Sequence, residues 1–154
     1  MKNFQNKAVD NNPKDLKLNA PPVTDYMVSN LITFKKDTEI NEVIESLLSN
    51  RITGAPVLDD DGNVVGIIDD KDCLKVVFGS AYYDLPSGRE IVGHYMSDIM
   101  MSINDDANII DAANIFLQTT FKRLLVKDDE GKLVGQISRR DVLRAIKDMK
   151  KNTW

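Results

Sequence analysis

Apolar residues fall into two patterns along the chain, and these patterns alternate in the same order twice. Ile40, Val43, Ile44, Leu47 and Leu48 keep the i, i+3, i+4, i+7, i+8 spacing of an amphipathic helix, and Ile109, Ala112, Ala113, Phe116 and Leu117 keep it again. A short run that predicts a strand precedes each helix, Ile32-Thr33-Phe34 in one case and Met101-Ser102-Ile103 in the other. After the first helix come two short apolar runs, Ala55–Leu58 and Val64–Ile68, on either side of Asp59-Asp60-Asp61-Gly62-Asn63. Asp-Gly in such a connection predicts a hairpin, because glycine accepts the positive φ of the turn. A closing helix is expected over roughly Asp70–Val77, with a counterpart over roughly Arg139–Met149.

The agreement between the two halves goes beyond hydropathy. Sliding the chain along itself lays Val23–Phe78 over Val92–Lys147 without a gap. Val23, Tyr26 and Met27 then meet Val92, Tyr95 and Met96, and Asp37 and Ile40 meet Asp106 and Ile109. Val57 through Gly62 lies over Val126 through Gly131, Val65-Gly66 over Val134-Gly135, and Asp72-x-Leu74 over Asp141-x-Leu143. An ordered series of this kind marks two copies of one supersecondary unit, strand–helix–strand–strand–helix. About fifty residues make a marginal core alone, so the apolar faces of the two units are expected to bury one another. The fold class is therefore α+β: two tandem β-α-β-β-α repeats with pseudo-twofold symmetry, packed through their small sheets. The expected divisions are an N-terminal arm over 1–22, repeats over 23–78 and 92–148, a connector over 79–91 and a tail over 149–154. The arm is polar and carries Pro13, Pro21 and Pro22, which predicts a loosely held segment; in the connector, Tyr82-Tyr83 can pack over the joint or lie in an exposed loop.

Composition narrows the function. The 154 residues carry 20 basic and 24 acidic side chains, a net charge of -4, with 42% hydrophobic and 29% charged residues, the balance of a globular domain. No apolar run is long enough to span a bilayer, and the N-terminus has no signal-peptide stretch, so a cytoplasmic protein without membrane partners is expected. One cysteine, Cys73, excludes an internal disulfide and a multi-cysteine zinc site. With one histidine, no Gly-x-Ser-x-Gly and no P-loop, nucleophilic and phosphoryl-transfer catalysis lose their usual residues. A sequence pI near 5.0 argues against nucleic acid as partner.

The candidate chemistry sits where the last strand of each copy meets its closing helix. In Gly135-Gln136-Ile137-Ser138-Arg139-Arg140-Asp141 a helix start aims unpaired N–H groups and a positive dipole end at one spot. That suits a phosphate, with Ser138 as hydrogen-bond donor and Arg139 or Arg140 adding charge. Asp141 supplies an acceptor pair for the two hydroxyls of a ribose. Ser-x-x-Asp is also close to a capping box, and one serine can serve both roles. Thr53-Gly54-Ala55-Pro56 can form a flat wall for a planar ring, or simply an edge-strand start with a bend. The matching Lys122-Arg123-Leu124-Leu125 carries larger side chains, of which Arg123 can cap a ring or pair with a carboxylate.

Taken together, the Gly-x-Pro-like second strand, the Asp-Gly hairpin and Gly-x-Ile-Ser-x-x-Asp, duplicated in order, resemble a pair of CBS domains, or Bateman module, over about residues 23–148. The resemblance implies a regulatory module rather than an enzyme, with ligand sites in the cleft between repeats. These hold adenosine-containing ligands such as AMP, ADP, ATP, S-adenosylmethionine or NAD, and no required cofactor or metal. It places ribose contacts on Asp141 and Asp72, phosphate contacts on Ser138 and its neighbours, and base contacts on Thr33, Gly54, Ala55, Pro56, Ser102, Arg123, Leu124 and Leu125. It also implies a homodimer formed through the helices and a separate regulated protein. A ligand-free module whose whole role is dimerisation is the alternative.

The two copies differ at the phosphate position. Where the second has Ser138 the first has Asp69, in Asp69-Asp70-Lys71-Asp72. Aspartate caps a helix well but repels a phosphate, even with Lys71 offsetting part of the charge. Unequal sites are expected: the Ser138 site takes a phosphorylated nucleotide, and the Asp69–Asp72 site stays empty or takes an uncharged nucleoside portion. Asp59-Asp60-Asp61-Gly62-Asn63 has the wrong spacing for a calcium loop. His94 reads as a packing or surface residue, and Cys73 as a small core group. The basic run from Arg139 to Lys151 reads as a solvated helix face that helps with phosphate.

Overall fold

The computed structural model describes residues 19–78 and 90–153. They divide into two compact units: one from Ser29 to Met101, the other from Ser102 onward together with the described residues up to Val28. In the first, strand β1 (Phe34–Lys35) leads into helix α1 (Ile40–Asn50), strands β2 (Gly54–Leu58) and β3 (Val64–Asp69), and helix α2 (Asp70–Leu74). A 3-10 turn, Lys75–Val77, follows α2, and a short helix α3 (Val92–Tyr95) completes the unit. In the second, β4 (Ser102–Asn104), α4 (Ile109–Gln118), β5 (Arg123–Lys127), β6 (Leu133–Ser138) and α5 (Arg139–Thr153) repeat the order. Each sheet runs β1-β2-β3 or β4-β5-β6, its first pair parallel across the helix and its second antiparallel across the hairpin.

Both hairpins are built alike. Gly62 and Gly131 take φ of 84° and 80°, which only glycine adopts without strain. The Asp59 carboxylate accepts from the N–H groups of Asp61 and Asn63, and Asp128 accepts from Glu130 and Lys132. The Asn63 N–H chiefly holds the Asp59 carboxyl below the ordinary carboxylate range. This first aspartate is thus engaged in closing the turn.

Several boundaries depart from the sequence pattern. β1 is Phe34–Lys35 rather than 32–34, and β4 is displaced one residue toward the C-terminus. Leu48 and Leu117, at the i+8 edge of their stripes, are 74% and 86% exposed, while Ile40, Val43 and Leu47, and Ile109 and Ala112, carry the burial. The closing helix is short in α2 and runs through Thr153 in α5, so the expected tail over 149–154 is helical up to that residue. At the described end of the arm, the Pro21 carbonyl accepts from Ile109 and Pro22 bridges Asn108. Tyr82-Tyr83 lies outside the described residues.

α1 and α4 end differently. Arg51 sits in the left-handed region at φ 53°, with its N–H on the Leu48 carbonyl and that of Ile52 on Leu47, a Schellman closure. α4 stops into extended Thr119, whose hydroxyl donates to the Ile115 carbonyl at 2.9 Å.

The sequence repeat and the compact unit do not coincide at their starts. Val28 pairs with Gln136, and Ser97 pairs with Ile67. The Val23 N–H donates to the Ala107 carbonyl and that of Val92 to the Thr38 carbonyl, each at 2.9 Å. The Val-x-x-Tyr-Met segment of each repeat is therefore bonded to the sheet and helix of the other, and Val92 and Tyr95 belong to the core around Ile40, Val57 and Ile68. The exchange accounts for a shared identity. A Cβ added at Gly66 would lie 2.6 Å from the Ser97 carbonyl oxygen, and one at Gly135 would lie 2.4 Å from Met27 Sδ. Val-Gly and Tyr-Met recur together because the second leaves no room for a side chain on the first.

Candidate functional site

In the unit that ends with α5, buried Ile137 carries β6 to its last residue, Ser138, and the chain turns directly into the helix. The Ser138 N–H donates to Asp141 Oδ2 at 2.8 Å, its hydroxyl donates to the same oxygen at 3.0 Å, and Ser138 Oγ faces the Asp141 N–H at 3.3 Å. The capping box anticipated for Ser-x-x-Asp is thus formed. Arg144 completes it, donating from Nη2 to Asp141 Oδ1 at 2.7 Å and to the Tyr26 carbonyl at 3.4 Å. The Asp141 side chain is left 11% exposed and fixed through both oxygens; Oδ2 accepts two bonds, and Oδ1, with Arg144 as its one donor, has a lone pair to spare.

The strand register decides what surrounds this junction. Arg123 lies opposite Ser138, Leu125 opposite Gln136, and Ser102 opposite Leu125. Alternation along a strand puts Ser102, Arg123, Leu125, Gln136 and Ser138 on one face of the sheet. Leu124, opposite Ile137, falls on the other. Arg123 is buried, an arginine held beside the start of a helix whose dipole is also positive there. Arg139 has a structural use: its guanidinium donates to the Thr120 and Phe121 carbonyls and ties α5 to the chain before β5. Arg140 is exposed, and so is Ser102.

Sequence reasoning passed over Gln136. Its Oε1 is buried and has no hydrogen-bond partner among the described residues. The signal was available in the alignment of the copies, where the first repeat carries Ile67 at this position.

The corresponding junction of the unit that contains α2 has the same reciprocal bonds to backbone N–H groups with different charges. Asp69 Oδ1 accepts from the Asp72 N–H at 2.8 Å, and Asp72 Oδ2 accepts from the Asp69 N–H at 3.1 Å. Lys75, the counterpart of Arg144, stands 3.4 Å from Asp72 Oδ1. Burial holds the Asp72 carboxyl above the ordinary carboxylate range; the Asp69 N–H pulls it down, and the Asp69 carboxylate pushes it further up. Burial, with these aspartates, pushes the Cys73 thiol to about 11, so it stays protonated in the core. Gly54 lies opposite Asp69 and Pro56 opposite Ile67, while Ala55 belongs to the core. Thr33 and Thr53 are exposed, and the Thr53 carbonyl accepts from Asp70. His94 is exposed on α3. Among the described residues no three His, Cys, Asp or Glu side chains are grouped to hold a metal ion, and no helix is long and apolar enough to cross a membrane.

Comparison with known proteins gives a consistent result. The family model described as CBS domain matches residues 23–79 and 92–148. The chain is 32% identical over 157 residues to the CBS domain-containing protein CBSX1, chloroplastic, of Arabidopsis thaliana, covering 82% of this chain and 66% of that protein. It is 30% identical over 169 residues to CBSX2, chloroplastic, of the same plant, covering 94% of this chain and 71% of that protein. The chain thus spans about two thirds of the length of these relatives. The crystal structure of CBSX2 in complex with AMP superposes with a TM-score of 0.73 at 34% identity, covering 84% of this chain and 98% of that one.

Proposed function

The chain belongs to the CBS-domain family, and from that premise we propose that it is a regulatory, non-catalytic module that binds an adenosine-containing nucleotide where β6 meets α5. The observation that carries this reading is the Asp141 carboxylate, pinned by Ser138 and Arg144 at the start of a 15-residue helix, next to buried Arg123. A diol acceptor held rigid in advance loses little freedom on binding, and the arginine and helix dipole favour the phosphate that follows the ribose. The likeness to the AMP complex of CBSX2 supports the same ligand class. The Asp69–Asp72 junction stays empty or takes an uncharged nucleoside portion.

Signalling follows from linkage: ligand shifts an equilibrium only by the difference in its affinity for two arrangements. We assign the second arrangement to a homodimer that acts on a separate protein. Leu48 and Leu117, and Leu74 and Leu143, hold equivalent positions in the two repeats and are strongly exposed on their helices, which supports a self-associating surface. The same leucines favour a second reading, a dimerisation module that needs no ligand.

Isothermal titration with AMP, ATP, S-adenosylmethionine and NAD separates the two. Micromolar binding of a phosphorylated ligand is expected, lost in Asp141→Ala. In Asp141→Asn, which keeps an acceptor for the Ser138 N–H, binding is expected to weaken while the fold is retained. Silence across the four ligands selects the dimerisation module.

A further inference from the structure

We infer that Gln136 selects the base of the bound nucleotide, favouring a 6-aminopurine over a 6-oxopurine, and that its unpaired amide oxygen marks this task. The inference rests on the nucleotide-binding reading above. Gln136 shares the sheet face of Ser138 and Arg123 and precedes Ser138 by two residues, about 7 Å along a strand. That is within the length of one nucleoside. Its Oε1 is buried without a donor among the described residues, an arrangement that costs stability and calls for an explanation wherever it occurs. The residue as a whole is half-buried, and its terminal torsion is soft, so the amide can turn toward a ligand on that face.

The chemistry of the match is specific. A carboxamide offers an acceptor beside a donor, the complement of the adenine edge that carries N6–H and N7. Hypoxanthine places O6 and N7 there, two acceptors, and one Gln136 atom would again be opposed. The first repeat has Ile67 at this position, so its sheet face lacks any such discrimination and shows that a β-branched apolar residue fits the strand. The difference concentrates base selection in the second repeat.

The test compares AMP with IMP, which share ribose and phosphate, on wild type and on Gln136→Ile, by equilibrium titration together with thermal melting. Wild type is expected to bind AMP about tenfold or more tightly than IMP. Gln136→Ile is expected to bring the ratio close to one by weakening AMP, and to melt, without ligand, no lower than wild type, because an unsatisfied acceptor has been removed. A residue with a purely structural role would lower the melting temperature and leave the ratio unchanged. If Gln136→Ile fails to fold, Gln136→Met, unbranched and of similar length, carries the same comparison. A wild-type ratio near one, or a ratio that survives the substitution, overturns the inference while the nucleotide-binding reading stands. Failure of wild type to bind either nucleotide removes that reading and, with it, this inference.

Discussion

The two repeats share one backbone solution and diverge in charge at one junction. In both, an N-cap side chain and the carboxylate three residues on exchange hydrogen bonds with each other's backbone, and a basic residue one turn further reaches that carboxylate. Around Asp141 stand Ser138, Arg123, Arg139, Arg140 and Arg144; at the matching places around Asp72 stand Asp69, Gly54, Asp70, Lys71 and Lys75. The cap is the constant, because every helix start needs one. The charge is free to vary, because aspartate and serine cap equally well. Duplication thus left the fold's requirement in both copies and the proposed ligand chemistry in one.

Exchanging the cap residues breaks this comparison most sharply. Ser138→Asp keeps the helix start and puts a carboxylate where the phosphate is proposed to sit. Two like charges about 4 Å apart cost ~4 kcal/mol at an effective dielectric of 20. Half of that still weakens binding by about thirtyfold. Titration should therefore show nucleotide binding to Ser138→Asp largely lost, ATP more than AMP, with the fold retained and the melting temperature lowered modestly, because the new carboxylate also faces Asp141 and cannot donate to it as the serine hydroxyl does. Equal affinity in wild type and variant would remove the charge argument for unequal sites.

The repeats also share the glycine under the exchanged segment, but not what faces it. At Gly66 an added Cβ meets the Ser97 carbonyl oxygen at 2.6 Å, and backbone cannot swing aside. At Gly135 the close atom is Met27 Sδ at 2.4 Å, on a flexible side chain, with the Val28 carbonyl oxygen further off at 3.0 Å. Urea unfolding should place Gly66→Ala at the upper part of the overpacking range, about 1–3 kcal/mol, and Gly135→Ala below it. The reverse order would mean that the thioether is the more tightly held group.

That exchange marks the limit of what the sequence discloses. The α1 and α4 stripes, the Asp-Gly turns and the Ser-x-x-Asp cap are local, and each leaves a periodicity or a turn residue that can be read directly. Val23–Met27 and Val92–Met96 are alike in both copies, so no alignment tells which sheet each one joins; the pairings Val28–Gln136 and Ser97–Ile67 reveal it. The bonds from Arg139 to the Thr120 and Phe121 carbonyls leave no mark in the sequence, because tertiary folding brings those carbonyls to it. Leu48 and Leu117 fit the helical spacing, yet the buried stripe is narrower than the pattern and stops short of them. Gln136 stood in plain view as a polar residue against Ile67, and what it lacked was a burial that only the fold supplies.

The smallest predicted effect contrasts removal of the charge at Asp72, which carries a pH dependence, with its removal at Asp141. Asp72 has a folded pKa raised by burial, with the Asp69 charge adding to it. Its contribution to stability is therefore complete below the ordinary carboxylate pKa and is lost as the pH rises through the raised folded value, leaving the ionised form at a disadvantage at neutral pH. Asp72→Asn keeps an acceptor for the Asp69 N–H and removes the charge, and the ion pair it gives up is with half-exposed Lys75. Thermal melts should show this variant above wild type at pH 7, with the gain shrinking as the pH falls through the carboxylate range. Asp141→Asn should go the other way at pH 7, losing about 1 kcal/mol, because it gives up a 2.7 Å charge-assisted bond from Arg144 with no neighbouring carboxylate to be relieved. If both variants moved in the same direction at neutral pH, the Asp69 carboxylate would not be what separates the two junctions, and the case for a charge-selected site in one repeat would rest on the arginines alone.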